Sequence, residues 1–414
     1  QDLKPYIYKT NDYGQNWQKI VNGLDDPHSF ARVVREDKKV KGQLYAGTET
    51  GLYISTDDGK NWTKFQGNLP VVPINDLTIR NNDLVVATAG RSFWILDDVN
   101  SLQNRVQGSD QFKLIKPLDA PRFFNGSTDQ FVPGLGQNPK AGVAIDYYIG
   151  EKSDSLDLKL QVLQNGKVIR EITNKPPKDF KSWPGGPGKP EVLPAKEGYN
   201  RYYWDFSRDP LPAVENVFVY GSYSGYSVGP GDYTIKMFYN GAEHITTTTV
   251  LPNPNIEATA ADYKEQQEVL QSIATAIKNI HNSVSSIRSA QKQLKTYKSL
   301  LKDNEAASEL VKKGDSLIKR IDKWEQQLIQ PKQETFQDVI NFQNMINAEF
   351  MELMGYVDSP DPKVTQGAKQ RLQDLLSEWR KYEKEKNDII NNEMAEYNQM
   401  YDSLGLPAII YEEK

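Results

Sequence analysis

Apolar residues follow two periods along this chain, and the change falls near residue 255. Up to that point they occur in short runs bounded by Gly, Pro, Asn and Asp, the pattern of strands and turns. From Ala258 onward Gly and Pro become rare and the period is helical. Ile273, Ile277, Ile280, Val284, Ile287 and Leu294 follow steps of four and three, with Gln291 filling one slot. A second run, Leu310, Leu317, Ile321, Trp324 and Leu328, is ended by Pro331. A third gives Phe336, Val339, Ile346, Phe350 and Leu353. Asp361 then reads as an N-cap with Pro362 at the first helical position. The fourth run is Ala368, Leu372, Leu375, Trp379, Tyr382 and Ile389. It continues through Met394, Tyr397 and Tyr401 after a one-residue shift, a stutter-like irregularity. Four helices with one apolar stripe each predict an antiparallel, coiled-coil-like bundle over 255–414. Its last helix, 362–403, would be about 60 Å long at 1.5 Å per residue.

Residues 1–110 are repetitive. Lys9-Thr10-Asn11-Asp12-Tyr13-Gly14-Gln15-Asn16-Trp17 recurs 45 positions later as Ile54-Ser55-Thr56-Asp57-Asp58-Gly59-Lys60-Asn61-Trp62. That spacing, with about four short strands per unit, is a propeller period. The complete unit reads Phe30–Glu36, Gln43–Gly47, Gly51–Ser55 and Asn61–Phe65. Half a unit precedes it, and Ile74–Arg80, Leu84–Ala89 and Ser92–Leu96 follow, with Asp97-Asp98 where the motif would recur. The motif, Ser/Thr-x-Asp-x-Gly-x-x-Trp, resembles the Asp box of sialidase-like propellers. Its chemistry is structural: Asp12 and Asp57 can accept bonds from their own turns, Gly14 and Gly59 supply positive φ, and Trp17 and Trp62 would pack between blades. Residues 111–254 alternate strands with long Gly/Pro loops. Ala144–Ile149, Leu156–Leu163 and Lys167–Ile172 read as strands, with Asn165-Gly166 as a hairpin turn, and Gly198–Phe206, Pro230–Tyr239 and His244–Leu251 follow. Between them lies a loop centred on Trp183-Pro184-Gly185-Gly186-Pro187-Gly188. About six strands over this length predict an Ig-like β-sandwich. Its Tyr202, Tyr203, Trp204, Tyr220, Tyr223 and Tyr226 fit strand packing better than a sugar platform. The fold class is thus multidomain, β then α: partial propeller blades, sandwich, helical bundle.

Composition narrows the chemistry. With 50 Lys+Arg against 55 Asp+Glu, the net charge of -5 provides no basic face for nucleic acid. The absence of cysteine excludes disulfides, thiolate metal sites and a cysteine nucleophile. No apolar stretch approaches the roughly 18 residues that span a bilayer. The start at Gln1 implies a processed or truncated chain, or a piece of a longer protein, and two and a fraction blades would need further blades to close a ring.

Several segments together resemble the C-terminal part of large bacterial BNR-repeat proteins with a sortilin-type propeller. They are Tyr45-Ala46-Gly47-Thr48-Glu49-Thr50-Gly51-Leu52-Tyr53, Gly90-Arg91-Ser92-Phe93-Trp94-Ile95-Leu96-Asp97-Asp98, Pro230-Gly231-Asp232-Tyr233 and Tyr397-Asn398 with Gly405-Leu406-Pro407-Ala408-Ile409. The resemblance covers nearly the whole chain. It implies a multi-bladed propeller whose earlier, N-terminal blades are partners missing from this sequence, and export to the periplasm, outer-membrane surface or extracellular space. Animal sortilin receptors carry cysteine-rich modules after the propeller, so a sorting-receptor role does not transfer. Bacterial members often bear a glycoside hydrolase label. Such an enzyme needs two carboxylates, or a tyrosine with a carboxylate, around one bond, and a sialidase adds an arginine cluster. The ligand-face candidates are Glu49, Thr50, Arg91 and Ser92 in hairpins, with His28, Arg32, Arg35 and Asp76 near the first strands. They do not compose an acid, nucleophile and arginine triad, so no catalytic residue is assigned.

Other chemistry finds little purchase. His28, His244 and His281 lack a second ligand at metal spacing, and no metal or cofactor is expected. His281 reads as a flank residue of its helix. Asp154-Ser155-Leu156, Asp315-Ser316-Leu317 and Asp402-Ser403-Leu404 resemble short bacterial O-glycosylation acceptors, a pattern that also recurs by chance. Ile340, Phe342, Ile390 and the tail Ala408-Ile409-Ile410-Tyr411 are candidate contact surfaces beyond the four stripes. The first expectation is an exported, non-enzymatic scaffold or binding protein with a protein partner or larger surface complex. The second is a glycoside hydrolase whose catalytic residues lie mostly in missing blades, and the third a peptidase-associated propeller.

Overall fold

The computed structural model describes residues 2–106, 111–123, 136, 138–150 and 156–407. Its first region holds three separate antiparallel sheets. β1 (Tyr8–Lys9) and β2 (Gln18–Lys19) form a ladder of two. β3 (Ala31–Glu36), β4 (Leu44–Thr48), β5 (Gly51–Ser55) and β6 (Thr63–Lys64) follow as a four-stranded meander. β7 (Ile74–Arg80), β8 (Asp83–Thr88) and β9 (Phe93–Leu96) make a sheet of three. No closed ring is formed among the described residues.

Side-chain alternation explains why β4 and β5 are buried along their full length. On one face Leu44, Ala46 and Tyr53 pack with Trp62 onto Ile7, Ile20 and Leu24 of the preceding unit. On the other, Tyr45, Leu52 and Ile54 pack with Val33 onto Ile74, Leu77, Ile79, Leu84 and Val86 of the next. The middle sheet is thus the filling between two cores.

A short helix, α1 (Asn100–Gln103), leads into the second region. There β10 (Phe112–Leu114), β11 (Ala120–Pro121), β12 (Val143–Ile149), β13 (Leu158–Gln164), β14 (Lys167–Thr173), β15 (Gly198–Trp204), β16 (Gly231–Tyr239) and β17 (Ala242–Leu251) build two sheets. Their orders are β10-β12-β15 and β11-β17-β16-β13-β14. Both inner faces share one core, in which Ile145, Tyr147 and Trp204 meet Leu160, Val162, Tyr233 and Ile235. The β13–β14 and β16–β17 hairpins turn at Asn165-Gly166 and Asn240-Gly241, all four with positive φ, the residues and backbone that a tight two-residue hairpin demands.

The helical region departs from four matched helices. α2 (Ala260–Leu301) is the spine, and α3 (Ser308–Glu325), α4 (Ile346–Val357) and α5 (Gln366–Asp388) all pack on it. Its start is a capping box. Thr259 N–H donates to the Asp262 carboxylate at 2.7 Å, and Thr259 Oγ1 accepts from Asp262 N–H at 3.2 Å. The third run is shorter than its apolar spacing suggests: Phe336 and Val339 lie before α4, where a 3₁₀ turn at Asp338–Ile340 is held by the Asp338 side chain. The last helix begins not at Asp361-Pro362 but at Thr365, whose Oγ1 caps Ala368 N–H at 3.2 Å. Where the apolar pattern slips by one residue, a π-helical turn, Ile389–Met394, inserts it and joins α5 to α6 (Ala395–Ser403).

The helical core does not stop at the compositional boundary near 255. Val214, Val217, Val219, Tyr223 and Tyr226, from the long connection between β15 and β16, are buried within it. The sandwich therefore supplies part of the core that the helices enclose.

Candidate functional site

The hairpin end of the first region gathers most of the expected ligand-face residues. Glu49 and Thr50 sit in the β4–β5 turn, and Arg32 and Arg35 in β3. Arg32 Nε donates to Glu49 Oε2 at 2.8 Å, and its Nη1 reaches Asn75 Oδ1 at 3.3 Å. Arg35 Nη2 donates to Asp76 Oδ1 at 2.8 Å. These bonds tie β3 to the β4–β5 turn and, across the seam between units, to β7. Thr50 Oγ1 lies 2.6 Å from Ser29 Oγ, which also donates to Thr48 Oγ1. His28 is exposed, and its backbone N–H donates to Asp26 at 2.9 Å, holding that carboxyl below its ordinary range. Arg91 and Ser92 lie on the exposed β8–β9 turn. The Arg91 carbonyl accepts from Trp94 Nε1, and the Ser92 carbonyl from Thr88 Oγ1. The structure thus joins Arg32 with Glu49 and Arg35 with Asp76, while Arg91, Ser92 and His28 stand in other places.

The two boxes lie at the opposite end of the strands. In the first, Thr10 Oγ1 donates to Asp12 Oδ1 at 2.8 Å and accepts from Gly14 N–H at 2.8 Å. Asn16 donates to Asp12 through its backbone at 2.8 Å and its side chain at 2.6 Å. In the second, Ser55, Asp57, Gly59 and Asn61 repeat these four bonds within about 0.1 Å each. The Asn16 bonds lower the Asp12 pKa. Burial pushes Asp57 up, but the bonds from Asn61 and Ser55 outweigh it and the net shift is down. Gly14 and Gly59 have φ of 93° and 83°.

The tryptophans diverge. Trp62 is 4% exposed, and its Nε1 donates across to Ile20 O at 3.0 Å in the preceding unit. Trp17, expected between blades, is 61% exposed and donates to Gly14 O of its own turn, because among the described residues no further unit stands beside the first ladder.

Two polar junctions escaped sequence reasoning, because their members are far apart in the chain. Arg201 on β15 grips Asp146 on β12 through two bonds of 2.6 and 2.8 Å and reaches Asp98 at 3.5 Å, linking sandwich to repeats. The Asp146 bond is the largest cause of its raised pKa. Arg122, just after β11, reaches Asp358 at the end of α4, at 3.6 Å. Beside Asp358, a cleft of about 280 Å³ runs between the 220–225 segment and α4, walled by Tyr220, Gly221, Met351, Met354 and Gly355.

His281 is not a flank residue. It is 1% exposed, Nδ1–H donates to Pro212 O at 2.7 Å, and Nε2 faces Asn347 at 3.4 Å. Burial lowers its pKa. Tyr202, Trp204, Tyr223 and Tyr226 are buried and Tyr220 is exposed. The Gly-rich loop is pinned by Trp183 Nε1 to Val217 O at 2.9 Å. Ile340 and Ile390 are exposed and Phe342 half-buried. Ser316 and Ser403 lie in helices, bonded to carbonyls of their own helix. Asp154-Ser155 and the tail 408–411 lie outside the described residues. Among the described residues, no cluster of three or more His, Asp or Glu is arranged to hold a metal ion, and no helix is long and apolar enough to cross a membrane.

No family model and no curated protein matches this chain. Two solved structures of the extracellular domain of BT4673 from B. thetaiotaomicron, described in one as a one component system and in the other as a hybrid two component system, show a distant likeness. The identities are 12% and 13%, over 60% of this chain, with TM-scores of 0.19 and 0.20. The aligned part spans 28% and 29% of those chains.

Proposed function

We propose that this chain is the C-terminal part of an exported bacterial repeat protein that binds or scaffolds a protein partner rather than transforming a substrate. Residues 1–110 are read as the last blades of a sortilin-like propeller, 111–254 as an Ig-like sandwich and 255–414 as a four-helix bundle. The observation that carries the reading is the pairing of Glu49 with Arg32 and of Asp76 with Arg35. Carboxylates committed to guanidinium groups hold strands and seams together, whereas glycoside hydrolysis needs an acid and a partner left free to exchange protons or attack. The boxes have the same character, each carboxylate spent on its own turn. The exposed Trp17, set against the buried Trp62, supports earlier blades that cover it. Export follows from the family resemblance.

The test is chemical cross-linking of the native-source protein, run beside a panel of sialosides and glycosides. The reading expects a recurrent protein partner and no sugar release. Release that survives Glu49→Gln and Asp76→Asn would instead select a hydrolase with its catalytic groups in earlier blades.

A further inference from the structure

The cleft beside Asp358 has two unlike walls. α4 presents Met351 and Met354, and the facing wall is Tyr220 with the backbone of Gly221. Gly221 is closely packed, since a Cβ there would lie 3.1 Å from Met351 Cβ. Gly355, which also lines the cleft, is different. It stands inside α4 without a positive φ, where glycine is a poorer helix former than alanine. Among the described residues a Cβ on it would meet no atom within 4 Å. Neither backbone conformation nor packing calls for glycine at this position, and its missing side chain keeps the cleft open.

Shape and charge together restrict what fits. At about 280 Å³ the cleft sits at the lower bound of small-molecule pockets, roughly 300–1,000 Å³. Its apolar surface runs on past the mouth, where the Tyr220 ring meets that of Phe336 at 4.6 Å between centroids, and Phe336 is 67% exposed. One side chain seated in the cleft and a neighbour over Phe336 require an extended chain, so the surface suits a peptide. The charge is of one sign. The described lining residues include Glu352 and Asp358 and no Lys or Arg. Asp358 is committed to Ser227 and Arg122, whereas Glu352 is exposed and makes no ion pair among the described residues. α4 ends at Val357, so the negative pole of the helix lies at the same end.

We infer that this cleft receives an apolar side chain of a protein partner, seated between Tyr220 and the two methionines, with a Lys or Arg close to it in the partner's sequence paired to Glu352. This deepens the reading of the chain as a protein-binding component and rests on it. Methionine suits the task, because its flexible, polarizable side chain adapts to aliphatic and aromatic occupants alike. The Glu352 contact is exposed, so it selects among partners more than it holds them.

The experiment selects random displayed peptides on the native-source protein and reads the affinities of the enriched ones by fluorescence anisotropy. Enriched peptides are expected to carry Lys or Arg within a few residues of a large apolar side chain. Gly355→Trp fills the cleft from an open position and should weaken them at least about tenfold. Glu352→Lys, an exposed change that leaves the fold alone, should weaken them at least about threefold at low salt. No enrichment, enriched peptides without a basic residue, or an affinity that either variant leaves unchanged would overturn the inference. Cross-linking of the Gly355→Trp protein separates the cleft from the wider reading. A recurrent partner that Gly355→Trp leaves in place sinks the cleft and keeps the protein-binding role. If no partner recurs even with the unaltered sequence, that role fails and the cleft falls with it. A dimer of this chain that Gly355→Trp dissolves would put a second copy in the cleft instead and would overturn the basic partner.

Discussion

Asp358 Oδ1 lies 3.6 Å from the guanidinium of Arg122, and Asp358 Oδ2 accepts from Ser227 N–H at 2.9 Å and Ser227 Oγ at 3.2 Å. One carboxylate at the end of α4 thus holds a buried arginine beside β11 and the strand entry at Ser227, joining helices to sandwich. Burial pushes Asp358 up and Arg122 down, and their mutual attraction opposes both shifts. Asp358→Ala is expected to cost about 3 kcal/mol, because it leaves the buried Arg122 charge without this partner. Urea unfolding measures it. The raised carboxyl also fixes a pH sign. Just above pH 3.8 the folded state holds more protons than the unfolded chain, so this group's contribution falls as pH rises through its folded pKa. Asp358→Asn should remove that slope.

His281 gives the opposite slope in a higher window. Its Nδ1–H donates to Pro212 O, its Nε2 faces Asn347, and the Tyr223 ring lies 5.9 Å away. Its folded pKa lies below 6.5, so the unfolded chain takes up the proton first. Stability is full above about pH 6.5 and is lost as pH falls through the folded pKa. Urea midpoints across pH 7.5 to 5 should drop for the native sequence and drop less for His281→Gln.

The two box tryptophans predict unequal mutants from equal motifs. Trp62→Ala should cost about 3–5 kcal/mol, the range for a buried large aromatic. Trp17→Ala in this chain should stay within about 0.5 kcal/mol, as a surface change does. Equal losses would mean that Trp17 is covered in this chain.

The glycines of the boxes repeat the lesson. Both need positive φ, but a Cβ on Gly59 would lie 2.4 Å from Ile20 Cδ1, whereas on Gly14 its nearest neighbour is Trp17 at 3.8 Å. Gly59→Ala should lower the melting temperature clearly more than Gly14→Ala, by differential scanning fluorimetry.

What could be read from sequence was what repeats or has a period. The boxes are visible because the same four bonds require a hydroxyl residue, Asp, Gly and Asn at the same spacing twice. The stripe from Ile273 to Leu294 is visible because one face of α2 is buried along that length, with Gln291 included by its bond to Asp322. Helix starts were misplaced where capping chemistry is common to many positions: Asp361-Pro362 looks like a cap, but Thr365 makes the bond. Phe336 fits an apolar spacing yet is exposed against Tyr220, since spacing alone does not say what lies opposite. Arg122 with Asp358, Arg201 with Asp146, and the loop residues Val214 to Tyr226 in the helical core depend on tertiary contacts that no local pattern carries.

The central claim, proposed above, is that this chain is part of a longer repeat protein whose earlier units cover Trp17. Intact mass with size-exclusion light scattering on native-source material tests it most directly. The account predicts that the polypeptide travels with an N-terminal portion, covalently or as a tight complex, well above 47.0 kDa. A stable monomer of 47.0 kDa would contradict it.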